Sequence, residues 1–395
     1  MFSAIKAKVR AGGAEGPGEM GTAAGRLTPQ EGLYLLREAP LLAIGSLAQE
    51  VRFRHNPERA VTFVIDTNLN YSNVCDAFCT FCAFYRREGD GEAYTRSVEE
   101  VLEAIGRAAE LGTTTVLLQG GLHPSLPLDY YLELVRRTRQ LYPRVHPHFF
   151  SAPEVLRMSQ ASGLSVREVL AALWEAGLRT LPGGGAEVLA DSVKRRISPR
   201  LPKGRSQDWL AVHREAHRLG YRTTATMMYG HVEKDEEIIE HLEQLRALQE
   251  EATGRAAGPG GSGTRGAAGP GGLGINGGFT AFVPWSYKRE NTALGRRVSQ
   301  EAGPNRYLRL IALSRLYLDN FPHIQASWFS EGKKTGQVAL HFGADDFGGT
   351  LLEEEVMLKA GFYNRTTVEE VVALIREAGF RPAQRTTLYE VLRYC

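Results

Sequence analysis

A chain of 395 residues with 43% hydrophobic and 23% charged content has the make-up of an ordinary globular protein and enough apolar material for a full-sized core. Lys and Arg number 47 against 45 Asp and Glu, a net charge of +2, which leaves no electrostatic footprint for nucleic acid or an anionic membrane and points to a small-molecule partner. Four cysteines, three of them packed between positions 75 and 82 and the fourth at 395, are not a disulfide framework and suit a reducing compartment.

Residues 1–26 are rich in Gly and Ala without an apolar period and are expected to form a mobile tail. No stretch there is apolar enough for a signal peptide and none further on could span a bilayer, so the expected location is the cytoplasm. From 27 to 395 short β-branched or aromatic runs alternate with amphipathic helical stretches. The strand candidates are VTFVI (61–65), TVLLQ (115–119), VHPHFF (145–150), LRTLP (178–182), RTTATMM (222–228), FTAFVPW (279–285), HIQASWF (323–329) and QVALHF (337–342). SVEEVLEAIGRAAELG, SVREVLAALWEAGL and DWLAVHREAHRLG read as helices that start near Ser or Asp and finish near Gly. Eight strands wrapped in helices predict an α/β chain folded as a (β/α)8 barrel, and the Gly- and Pro-rich segment 254–274 reads as a flexible surface insertion in it.

In such barrels chemistry sits on the loops that follow the strands. The cysteines follow the first strand, Gln119-Gly120-Gly121 the second, Ser151 the third, Glu187 the fourth, His231 the fifth, and Asp345 and Asp346 the last. The loop spacing Cys75-x3-Cys79-x2-Cys82 brings three thiolates together. Structural zinc wants four ligands, and so does an ordinary iron–sulfur cubane, so a cubane here keeps one iron open. An electron carrier without catalysis would supply a fourth cysteine and would need no barrel.

This spacing resembles the signature of the radical S-adenosylmethionine (SAM) superfamily. The resemblance implies a 4Fe-4S cluster on Cys75, Cys79 and Cys82, with SAM chelated at the open iron. It further implies Phe81 beside the adenine and Gln119, Gly120 and Gly121 beside the methionine ammonium. Ser151 and Glu187 can offer hydrogen bonds to the SAM ribose or amino acid moiety, or simply cap helices and shape loops.

The stretches DTNLNYSNVCDAFCTFCAFYR, LLQGGLHPSLPLDYY, PGGGAEVL, RISP, TTATMMYGHVE, FVPWSYKRENTALG, GADDFGGTLLEE and AQRTTLYEVL resemble radical SAM enzymes of the menaquinone (futalosine) pathway. The dehypoxanthine futalosine cyclases stand first among these; aminofutalosine synthase and the two halves of FO synthase share much of the pattern. The Gly-rich insertion departs from it. The resemblance implies abstraction of a ribose hydrogen by a 5′-deoxyadenosyl radical, attack of the carbon radical on the benzoate ring, and a one-electron donor such as flavodoxin or ferredoxin. Candidates for the substrate pocket are then Tyr71, Trp285, Tyr287 and Asp345, with His231 and Asp346 as catalytic groups. Met227 and Met228 read as core filler, His123, His146 and His148 match no metal spacing, and Cys395 carries no motif.

Overall fold

The computed structural model describes residues 1–12, 25–199, 204–253, 277–363 and 365–395. Strands β1 (Ala60–Val64) and β2 (Asp66–Leu69) are two halves of one extended run that breaks at Ile65. From β2 a parallel sheet continues through β3 (Thr115–Leu118), β4 (His146–Phe149), β5 (Thr180–Leu181), β6 (Arg222–Tyr229), β7 (Gly278–Ser286) and β8 (His323–Ile324). Then β9 (Asp346–Gly349) meets the end of β8 through a bridge from Gln325 to Asp346 and pairs in parallel with β1. The chain so returns to its first strand and closes the (β/α)8 barrel. A last pair, β10 (Arg381–Arg385) and β11 (Val391–Tyr394), docks on the other edge of β1.

Side chains alternate across each strand. On β3, Val116 and Leu118 are fully buried while Thr115 and Leu117 line an internal cavity, and on β6 Ala225 and Met227 are buried while Thr224 and Thr226 line it. The helices outside follow the capping chemistry read from the sequence. Ser97 with Glu100 caps Val98–Glu110, and Ser165 with Glu168 caps Val166–Ala176. Gly112, Gly177 and Gly220 follow three helices in the left-handed region, at φ 84°, 112° and 95°, where a Cβ is unfavourable.

Three expectations change. QVALHF is not the eighth strand: Lys333–Ala339 is a helix, with Gly336 against Trp328, since a short apolar run carries no distinction between helix and strand. The strand is Asp-Phe-Gly-Gly, poor in strand formers and fixed instead by pairing. HIQASWF is extended only at His323–Ile324 before Trp328–Glu331 turns helical. Within the expected tail, Phe2–Ala11 is a helix whose Ile5 and Val9 are buried; the ion pair of Lys8 with Glu31 at 2.8 Å and that of Arg10 with Glu50 at 2.7 Å hold it down. Positions 13–24 of that tail and the insertion 254–274 lie outside the described residues.

Asp345 points outward into the helix layer. Its carboxylate takes the Arg315 guanidinium, His323 Nδ1 at 2.6 Å, Asn56 Nδ2 at 2.5 Å and the Ile324 N–H at 2.9 Å. It is a structural group and not the pocket residue expected. Burial would raise its pKa, but Arg315 and His323 hold it well below the usual carboxylate range. Replacing Asp345 by Ala strands a buried guanidinium and should cost about 3–5 kcal/mol, read from the urea midpoint. A depressed carboxylate stabilises above its unfolded pKa and loses this as pH falls, so the difference should shrink below about pH 4.

Candidate active site

The cysteine loop is clamped on all sides. The Thr80 N–H and hydroxyl both donate to the Ile197 carbonyl at 2.8 Å, and the Leu294 N–H donates to Thr80 O at 2.8 Å. Arg157 grips both oxygens of Asp76 at 2.5 and 2.6 Å. Phe78 holds a left-handed φ of 50°, which turns the chain between the first two cysteines. Cys79 is buried with Sγ 3.5 Å from Ser198 Oγ, while Cys75, Cys82 and Phe81 pack around it with Leu122. Cys395 packs on the main core, away from this cluster.

Among the described residues no three His, Cys, Asp or Glu surround one metal ion. The three cysteines nonetheless pack together in one cluster, and a cubane needs no single shared ion because each thiolate bonds a different iron. A hollow of about 280 Å³ opens beside Cys79 and Cys82, edged by Tyr85, Arg86 and Asn291. Two soft donors on this hollow, with Cys75 packed in the same cluster, suit an iron–sulfur cluster better than a single hard cation.

Gln119-Gly120-Gly121 joins this loop to the barrel interior. A Cβ on Gly121 would fall 2.0 Å from Val74 O and 2.8 Å from Cys75 Cβ, and one on Gly120 would enter the Tyr71 ring; only glycine permits both approaches. Gln119 lines the cavity, and its Nε2 would be 2.5 Å from a Cβ on Gly184. Ser151 lies close by, but its N–H and hydroxyl both donate to Glu154, at 2.6 and 2.5 Å. Glu154 also accepts Tyr71 OH at 2.8 Å and Gly120 N–H at 3.0 Å, and burial pushes its pKa up against these bonds. Sequence reading missed Glu154, although Ser-Ala-Pro-Glu is a capping-box pattern that could have marked it.

Inside the barrel lies a cavity of about 260 Å³. Trp285 and Glu187 line it; Glu187 sits at φ 44° and its carboxylate is 3.6 Å from buried Lys194. Four other assignments move. Tyr71 is fully buried behind Gly120, edge-on to Tyr131 and Phe150. Tyr287 is buried and bonded to Thr292. His231 fixes its own loop: Nε2 donates to Met228 O at 3.0 Å and Nδ1 accepts the Val232 N–H at 2.8 Å. Burial lowers its pKa against the pull of Glu233. Asp346 accepts Arg385 through Nε and Nη2, Thr62 Oγ1 at 2.6 Å and Gly348 N–H at 2.9 Å, so it steadies a cation and is not itself a cavity acid. The cavity's polar groups include Asp66, His148, Gln325 and Arg385. Sequence reading passed over Asp66, which directly follows the apolar run VTFVI.

The geometry agrees with the comparisons. Residues 69–245 match the Radical SAM superfamily, and residues 276–395 match the CofH/MqnC C-terminal region. Cyclic dehypoxanthine futalosine synthases of Halalkalibacterium halodurans and Streptomyces coelicolor are 37% and 39% identical, over 93% and 94% of this chain and 92% and 86% of theirs. The chain belongs to the radical SAM superfamily. Another relative of the same standing is 5-amino-6-(D-ribitylamino)uracil--L-tyrosine 4-hydroxyphenyl transferase of Methanopyrus kandleri, 37% identical over 93% of this chain and 91% of that protein. The fold of this radical SAM enzyme resembles that of methylornithine synthase, with a TM-score of 0.69 at 17% identity over 96% of this chain and 97% of that one. No helix of the described residues is long and apolar enough to cross a membrane.

Replacing Cys75, Cys79 or Cys82 by Ala should abolish SAM cleavage and the charge-transfer absorbance of reconstituted protein, and Cys395→Ala should retain both. Gly121→Ala should lower bound iron at least severalfold, because its Cβ forces the Cys75 loop off Val74 O; iron per chain after anaerobic reconstitution checks it.

Proposed function

We propose that the chain is the cyclase that converts dehypoxanthine futalosine to cyclic dehypoxanthine futalosine on the way to menaquinone. The observation that carries this reading is a similarity to the two cyclic dehypoxanthine futalosine synthases that spans cysteine loop, barrel and C-terminal floor alike. Cys75, Cys79 and Cys82 would hold a 4Fe-4S cluster, with Phe81, Gln119, Gly120 and Gly121 toward SAM, and a flavodoxin or ferredoxin would supply electrons. The chemistry supplied by this pair, when bound, is hydrogen abstraction from a substrate ribose carbon by an adenosyl radical.

The chain's own part is to hold sugar and arene in near-attack contact and keep water out. The apolar wall of Val64, Leu117, Val283 and Leu351 gives the cavity its dry side. Trp285 offers the benzoate ring a face to stack on. Glu187, paired with Lys194, and Ser151, engaged with Glu154, serve in this reading as braces for the strand ends around SAM.

Dehypoxanthine futalosine deuterated at ribose C4′ should pass its label into 5′-deoxyadenosine in step with product, read by mass spectrometry of an anaerobic reaction. Aminofutalosine synthase chemistry instead builds the adenosine moiety into the product, and that outcome would overturn the assignment.

A further inference from the structure

We infer that Asp66 is the general base of this site, the group that takes the ring proton lost after cyclisation; the inference rests on the cyclase reading above. Asp66 opens β2, opposite Thr115 of β3, and stands in the cavity wall only 5% exposed. Its carboxylate occupies the space above Gly349, where a Cβ would fall 2.0 Å from both oxygens. One oxygen accepts the Leu351 N–H at 2.8 Å. The nearby guanidinium of Arg385 is already bound by Asp346 through two nitrogens.

The other acids and bases of the cavity are committed elsewhere. Glu187 pairs with Lys194, and Glu354 accepts the N–H groups of Val356 and Met357 at 3.0 and 2.6 Å. His148 holds Thr180 Oγ1 through Nδ1 at 2.8 Å, and burial drives its pKa down to about 3, too weak a base near neutrality. Burial instead raises Asp66 to about 7, against the Leu351 N–H and Arg385 and with the help of Asp346. A base is most effective when its pKa lies near the working pH.

The step balances as follows. Closure of the ribose radical on the benzoate ring leaves a ring radical. It gives one electron to a one-electron acceptor of the iron–sulfur or flavin class. The ring C–H bond then breaks, its electron pair restores the aromatic sextet, and the proton forms an O–H bond on Asp66 before passing to solvent.

Asp66→Asn keeps shape and volume but cannot take a proton. With C4′-deuterated dehypoxanthine futalosine, reconstituted Asp66→Asn should still form labelled 5′-deoxyadenosine, while cyclised product per deoxyadenosine falls on the order of a hundredfold. Asp66→Glu should recover part of it. A wild-type ratio in Asp66→Asn overturns the inference, and so does loss of deoxyadenosine formation with iron content and SAM binding intact, because Asp66 would then act before cyclisation. Failure of the wild type to cyclise at all identifies the cyclase reading as the part that is wrong, and the inference goes with it.

A second measurement needs no variant. In the wild type the same ratio should hold above pH 7 and fall as Asp66 protonates below it, and a flat ratio from pH 5.5 to 8 overturns the assignment. The charged and titratable groups around this cavity are Arg385 and Tyr389 from the C-terminal segment, Asp346 on β9, Glu354 after it, Glu187 after β5 and His148 on β4. Of these, Arg385 and Asp346 act most directly on Asp66, with opposite sign.

Discussion

The contact between Asp346 and Arg385 is where the barrel closes and where its floor is made. Asp346 belongs to the last barrel strand, its second partner Thr62 to the first, and Arg385 to the strand that docks beneath. Two charges buried this deeply lose several kcal/mol of hydration each, and good geometry with further hydrogen bonds is needed to offset it. That geometry is present: two guanidinium nitrogens, one hydroxyl and one backbone N–H converge on the carboxylate. The pair then fixes the register of three strands at once. A strand written Asp-Phe-Gly-Gly, with little intrinsic preference for extension, has few other means of staying in place.

From this floor upward the site divides into two halves that share the Gln119-Gly120-Gly121 turn. On one side Gly121 lets the cysteine loop approach; on the other Gln119 reaches the cavity beside Gly184. Glu154 stands between them as a buried acceptor for Tyr71, Gly120 and Ser151. Its hydrogen bonds tie the exit of the first strand, the exit of the second and the start of the helix Ala152–Ser162 to a single carboxylate. Such a network is costly when incomplete and stiff when satisfied, which suits a site that must hold a reactive intermediate in one geometry.

What the sequence disclosed and what it hid follow from locality. The thiol spacing and the glycines were legible because their chemistry is carried by neighbours in the chain. Seven of the eight strands were legible as regions because buried parallel strands are apolar and β-branched. The eighth was not, since its extension comes from Asp346's partners nearly forty residues away and at the opposite end of the domain. The surroundings of most substrate-side candidates were hidden for a related reason. Tyr71, Tyr287 and His231 follow strand ends and Asp345 immediately precedes β9, and a polar group at such a boundary can turn to the cavity, to the core or to its own backbone. Which of these it does depends on burial depth and on partners such as Glu154, Thr292, Met228 and Arg315, none of which adjoins it in sequence.

The adjacent aspartates show how such commitments shape the site. Asp345 and Asp346 point to opposite faces of one strand, the first to Arg315 in the helix layer and the second to Arg385 under the cavity. Each acid cancels one guanidinium. With Arg385 neutralised from below, the cavity floor offers no strong cation to hold Asp66 ionised, and burial can raise that group toward neutrality. Had Asp346 been absent, Arg385 would have turned its full charge on Asp66 and drawn its pKa down, as opposite charges at close range do. The same ion pair that closes the barrel thus sets the protonation of the carboxylate above it, and fold and chemistry meet at one contact.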